Sequence, residues 1–140
     1  MSFDVSVNFW AVLTSAVASM VIGSIWYGPL FGKQFMQAMG MHLWTPEQRQ
    51  AMTKSMTLSY AVQFLASVAT IYIFGWLMAA LGAVFVMDYI QGAIWVWLGF
   101  MLPIKLGDAL WGGKWILFWL GIGNMFLTMI AAAVILGYWQ

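Results

Sequence analysis

Charge is what this sequence has least of. Only 6% of its 140 residues are Asp, Glu, Lys or Arg, where a soluble domain carries about a quarter. A charged coat over a water-soluble core cannot be built from so few, and no basic run exists to hold nucleic acid. Cysteine is absent altogether. That excludes a disulfide framework, a thiolate metal site and thiol chemistry. The single histidine, His42, leaves no basis for a histidine metal centre, and no cofactor is expected. Only three prolines occur, Pro29, Pro46 and Pro103. What is abundant is apolar: 64% of residues are hydrophobic, with a mean hydropathy of +0.91. The length fits one domain, 1–140, and the composition is that of an integral membrane protein.

A helix needs about 20 apolar residues to cross a hydrocarbon core of about 30 Å. Four segments qualify, at about 8–27, 57–81, 89–104 and 115–139, with a connection over 28–56. No segment alternates with period two, so a β-barrel is excluded. Backbone groups in lipid must be satisfied within their own segment, which makes each span a helix. The expected fold class is therefore all-α: a polytopic four-transmembrane-helix bundle. Ala16-Val17-Ala18 resembles a signal-peptide cleavage site. The residues before the first span nevertheless contain Asp4 and no Lys or Arg, and the apolar run continues well past Ala18, so retention of the span is expected.

Lys33, Arg49, Lys54, Lys105 and Lys114 are the only basic residues. The first three lie between spans one and two, and the others flank the turn between spans three and four. In a four-span chain both connections face one side, and the positive-inside rule makes that side cytoplasmic. A cell membrane with both termini outside is the expected placement. Trp10, Trp76, Tyr89, Tyr138 and Trp139 would form an outer aromatic belt, and Trp26, Tyr27, Trp111 and Trp115 an inner one.

The first span is expected to end at Trp26-Tyr27-Gly28-Pro29, since the residue before a proline is pushed out of the helical region. Phe31, Phe35 and Met39 then recur every four residues. They predict a short amphipathic interfacial helix between spans one and two, with Gly40 as its stop. Thr45-Pro46-Glu47-Gln48 reads as a capped helix start with a capping box. No breaker follows until Gly75. A helix from Pro46 to Leu81 would be about 54 Å long, so its first turns should project beyond the hydrocarbon. His42, in the loop between these elements, reads as a surface residue.

Polar residues within spans face the bundle interior, where they either hold helices together or line a path. Ala11, Ser15, Ser19 and Gly23 form a small-residue stripe on span one, suited to close helix packing. Span two carries Ser59, Gln63 and Ser67 at the same spacing, with Thr70 beyond. Span three carries Gln91, Gly92 and Gly99, and span four carries Asn124, Thr128 and Ala132. Gln63 and Asn124 lie deep enough to need partners, each other or nearby hydroxyls, unless they face a cavity. Pro103 should kink the end of span three. Lys105 and Asp108, three apart, would pair if helix continues, as a structural ion pair or a cytoplasmic gate. Trp111-Gly112-Gly113-Lys114 reads as a tight turn.

Several stretches together resemble one family. They are Asn8-Phe9-Trp10, Trp26-Tyr27-Gly28-Pro29-Leu30-Phe31-Gly32-Lys33, Thr45-Pro46-Glu47, Trp97-Leu98-Gly99-Phe100 with Pro103, Gly112-Gly113-Lys114, Asn124, and Ile135-Leu136-Gly137-Tyr138-Trp139. The sequence resembles the Domain of Unknown Function 1761 family of small bacterial membrane proteins over nearly its whole length. The resemblance implies a four-helix membrane protein and no particular activity.

The leading expectation is a non-enzymatic bundle, a homo-oligomer among membrane lipids, that binds or passes a small solute or lipid. The alternative is an accessory or assembly subunit with a partner in a larger membrane complex. An enzyme is the weakest class, because the sequence offers no nucleophile–base pair, no paired carboxylates within a span and no phosphate loop.

Overall fold

The computed structural model describes residues 3–140. Among them there are helices and turns and no strand. Four continuous helical stretches are long and apolar enough to span a membrane, and many large apolar side chains lie on their outer surface. A patchwork of that extent suits lipid rather than water.

The first stretch is α1, Phe9–Ile25, capped by Asn8, whose Oδ1 accepts from the backbone N–H groups of Trp10 and Ala11. It does not stop before Pro29 as expected. A π-turn over Trp26–Leu30 carries the chain through the proline, and the N–H of Phe31 bonds back five residues to the carbonyl of Trp26 at 2.9 Å. The wider turn absorbs a residue that would break an α-helix. The interfacial helix follows as α2, Gly32–Ala38. Phe31 and Phe35 do not simply rest in the interface. They pack on Trp26 (4.7 Å between ring centroids) and Tyr27 (4.9 Å, edge to face). Gly40, at φ 72°, ends this segment, and a short 3-10 turn, Met41–Leu43, leads on.

α3 spans Pro46–Ala80, 35 residues, or about 52 Å. Its start carries the anticipated capping box: the N–H of Gln48 donates to Thr45 Oγ1 at 3.2 Å, and the N–H of Thr45 donates to Gln48 Oε1 at 3.0 Å. Its buried residues are Ile71, Phe74, Gly75, Met78 and Ala80, all in the last third. From Thr45 to Gln63 every residue is exposed.

The third stretch is longer than the sequence suggests. α4 (Val86–Val96), a second π-turn (Trp97–Met101) and α5 (Leu102–Gly112) form one 27-residue span. Pro103 again stands beside a π-turn, so the chain continues rather than ending near Ile104. The turn into the last helix is tighter than predicted: Gly113, at φ 75°, and Lys114 separate α5 from α6, Trp115–Tyr138.

α6 is the centre of the bundle, with α1 and α4 along its two sides, and α3 packs mainly on α1 and, through its last third, on α4 and α6 as well. Two ends can be told apart. The terminal end holds both chain termini and the α3–α4 connection. The basic end holds α2, the start of α3 and the α5–α6 turn, with the five Lys and Arg residues toward it. Near the terminal end the four stretches meet in a continuous core that includes Ala11, Val12, Ala16, Ile71, Phe74, Met129, Ala132 and Ala133. Three polar contacts stitch that end. Asn8 Nδ2 donates to the carbonyl of Trp139, Gln140 Nε2 donates to the carbonyl of Val84, and Asp88 accepts from the N–H groups of Val84 and Phe85.

Candidate functional site

Toward the basic end the packing changes. α3 leaves the bundle core below Ile71, and the space it vacates beside α5 and α6 is a half-open cavity of about 610 Å³. Polar residues from three helices line it: Ser19 from α1, Gln63, Ser67 and Thr70 from α3, and Asn124 and Thr128 from α6. Ile71 and Met129, both buried, lie at its inner limit, where the packed core begins. Tyr27 and Phe35 line it toward the basic end.

The polar residues do not bond to one another across this space. Ser67 Oγ donates back to the carbonyl of Gln63 on its own helix at 2.9 Å, and Thr128 Oγ1 donates to the carbonyl of Met125 at 3.0 Å. Such back-bonding is the local option open to a helical hydroxyl. Gln63 lines the cavity as an exposed residue. Asn124 Oδ1 is buried with no hydrogen-bond partner. An unpartnered amide oxygen costs roughly 1–3 kcal/mol. An intramembrane hydrogen bond returns only about 0.6 kcal/mol. The expected pairing of Gln63 with Asn124, or of either with a neighbouring hydroxyl across helices, is therefore absent. These amides do not glue the helices.

Both π-turns contribute to the wall, through Tyr27 and Gly28 of the first and Met101 of the second. π-turns widen a helix locally and recur at functional sites. Between them α6 carries Gly121-Ile122-Gly123, and each glycine admits a neighbour. The Trp26 ring lies over Gly123, where an added Cβ would sit 2.7 Å from Trp26 Cζ2. Its Nε1 donates to the carbonyl of Leu120 at 2.9 Å. From the other side Trp97 Nε1 donates to the carbonyl of Ile122 at 2.8 Å. Trp26 is thus a packing residue rather than part of a lipid-facing belt, and Tyr89 is likewise buried. Over Gly121 passes the stem of Lys105, with Cε 3.7 Å from where a Cβ would be.

The small-residue stripe of α1 splits in two. Ala11 and Ser15 are buried against the core, and Ser15 Oγ bonds back to the carbonyl of Ala11. Ser19 and Gly23 instead line the cavity, and a Cβ at Gly23 would meet nothing within 4 Å. Close helix approach therefore explains only the first half of the stripe. Ser59 and Gln91, also expected to face the interior, are exposed, and Ser59 is not among the cavity-lining residues. Lys105 and Asp108 do lie on a continuous helix, yet no ion pair forms between them. Lys105 turns to Gly121 and the cavity, while Asp108 is exposed.

The model of one family, described as a protein of unknown function (DUF1761), matches residues 10–137. The chain belongs to the DUF1761 family. No curated protein and no solved structure matches it. Within this DUF1761 protein, the Trp26-to-Lys33 stretch that singled out the family forms the first π-turn and the start of α2. It brings Tyr27 and Gly28 to the cavity and Trp26 onto α6. Among the described residues no group of three or more His, Cys, Asp or Glu is arranged to hold a metal ion. The chemistry the cavity offers is hydrogen bonding from amides and hydroxyls beside one ammonium group.

Sequence reasoning missed Tyr27, Gly28, Tyr60 and Met101 as lining residues. The available signal was proline within or beside an apolar run at 29 and 103, which marks a local widening as readily as a helix end.

Proposed function

We propose that this DUF1761 protein is a binding protein of the bacterial inner membrane, with both termini outside, that holds a small polar or amphipathic molecule in the cavity between α1, α3, α5 and α6. The observation that carries the reading is Asn124: a buried amide oxygen without a partner, on the wall of a cavity where no neighbouring polar side chain reaches it. A bound molecule with a donor group would remove that cost by drawing the amide oxygen round toward the cavity. The packed core at the terminal end supports binding over passage, because the cavity's inner limit at Ile71 and Met129 abuts packed side chains from all four stretches. The role is one of binding rather than catalysis.

The test is native mass spectrometry of the protein purified in mild detergent, with Gln63→Leu and Asn124→Leu alongside. The wild type should carry a stoichiometric small molecule, and both variants should fold, melting no lower than wild type, and lose it. Retention of the same molecule by both variants, or a wild type that carries none and binds no added lipid, would overturn the reading.

A second reading, an accessory subunit of a membrane complex or a homo-oligomer, is favoured by α3. Its first half, from Thr45 to Gln63, is exposed along its whole length. A fixed partner retained on purification in native membrane nanodiscs, lost when Met52 and Met56 are changed to Glu, would support it.

A further inference from the structure

Resting on that binding reading, the geometry points to the class of molecule: we propose an anionic lipid, its acidic head beside Lys105 and one acyl chain in the groove between α1 and α3. The first observation is the direction of Lys105. A lysine near a membrane interface ordinarily extends its stem toward water. This one crosses α6 over Gly121, so its aliphatic carbons lie against glycine and the residue lines the cavity. Among the described residues it is the only charged one on the cavity wall. The described acids lie elsewhere. Asp108 is exposed on the same helix, Glu47 is at the start of α3, and Asp4 and Asp88 are toward the terminal end. Lys105 thus lines a polar space without a counter-charge beside it. The electrostatic complement of such a group is an anion, and attraction to it strengthens as water is excluded.

The second observation is independent of charge. On the outer side of α1 and α3 runs an apolar groove of about 310 Å³, formed by Val17, Val21, Ile25 and Phe64. Met20 and Ser24 line both this groove and the cavity. A polar chamber with one cation therefore adjoins, across Met20 and Ser24, an apolar groove open to lipid. A free inorganic anion would use the chamber and leave the groove without purpose. A membrane lipid with an acidic head uses both, and it can enter sideways from the bilayer because the cavity is half-open where α3 stands away from α5.

The experiment measures binding of phosphatidylglycerol and of phosphatidylcholine with identical acyl chains, each added to purified protein in neutral detergent and followed by native mass spectrometry. One phosphatidylglycerol per protomer should bind about tenfold more tightly than phosphatidylcholine. Lys105→Gln should abolish that preference, and Lys105→Arg should keep it. Val21→Trp, which fills the groove, should weaken both lipids by a similar factor and leave the preference intact. Inorganic phosphate at millimolar concentration should not displace the lipid. Equal affinity for the two lipids, a preference that survives Lys105→Gln, or unchanged binding by Val21→Trp would overturn the proposal. Displacement by phosphate would assign the site to a free anion and overturn it as well. A co-purifying molecule that neither lipid displaces would leave the binding reading standing and sink the anionic-lipid proposal. A wild type that retains nothing and binds neither lipid would sink both.

Discussion

Asn124 and Gly123, one residue apart on α6, set two opposite tests of the structure. At Asn124 an amide oxygen is buried without a partner. Asn124→Leu removes that unmet group and fills part of the cavity with apolar volume. The variant is expected to be more stable than wild type by about 1 kcal/mol, read as a higher melting temperature in detergent. If the amide were bonded across helices, the same change would lower it. At Gly123 the surface is closed by Trp26. Gly123→Ala places a Cβ against the ring, so Trp26 must shift and its bond to the Leu120 carbonyl is strained or lost. A loss of about 1–3 kcal/mol follows. The control is Gly23→Ala, where the Cβ meets open space. It should change stability by no more than a few tenths of a kcal/mol, with a gain from helix propensity. Two glycines facing the same interior thus carry opposite predictions, and a melting series on three proteins decides them.

At the scale of elements, α3 is two different helices in one. From Ile71 onward it is held by tertiary packing, and from Thr45 to Gln63 it is held by its own hydrogen bonds and cap. Thr45→Ala removes the side-chain acceptor for the N–H of Gln48, which costs about 1 kcal/mol at a helix start. Nothing packs against the first turns to compensate. Hydrogen exchange should therefore accelerate over residues 46–56 and stay unchanged over 71–80. Uniform acceleration along α3 would mean that the exposed half is coupled to the core. The cap, the start at Pro46 and the length of this helix were all legible in the sequence, because capping chemistry and the lack of a breaker are local properties. The π-turns were not. Pro29 and Pro103 signal only that an α-helical hydrogen bond is missing. Whether the chain then stops or widens depends on what the next segment packs against: α2 against Trp26 and Tyr27 in one case, α5 against α6 in the other.

The whole molecule divides across its long axis into a packed terminal half and an open basic half. The absence of native cysteine makes that division directly measurable. Ser19→Cys and Gly23→Cys, which line the cavity, should react with a small water-soluble maleimide in membranes opened on both sides. Val12→Cys, fully buried in the core, should not. Equal reaction at all three would mean that the terminal half is not closed. In sealed cells the same two cavity cysteines should be protected from a membrane-impermeant reagent, because positive-inside reasoning turns the basic end toward the cytoplasm. A C-terminal reporter active only in the cytoplasm should stay silent.

The sequence by itself determined that the chain carries four helices long and apolar enough to cross a membrane, and that its basic residues gather at one end. Each of these depends on composition, on the length of apolar runs, or on the parity of crossings, and none needs to know which helix lies beside which. It also marked Gln63, Ser67, Asn124 and Thr128 as polar groups in apolar surroundings. Only the tertiary structure decided what those groups face. Spacing along a helix assigns residues to a common side, and so it put Ala11, Ser15, Ser19 and Gly23 on one stripe. It does not set the distance to the neighbouring helix. That distance is small where α3 packs from Ile71 to Ala80 and large where α3 stands away from α5 and α6. One stripe therefore becomes packing at one end and cavity wall at the other, and Lys105 meets Gly121 instead of Asp108.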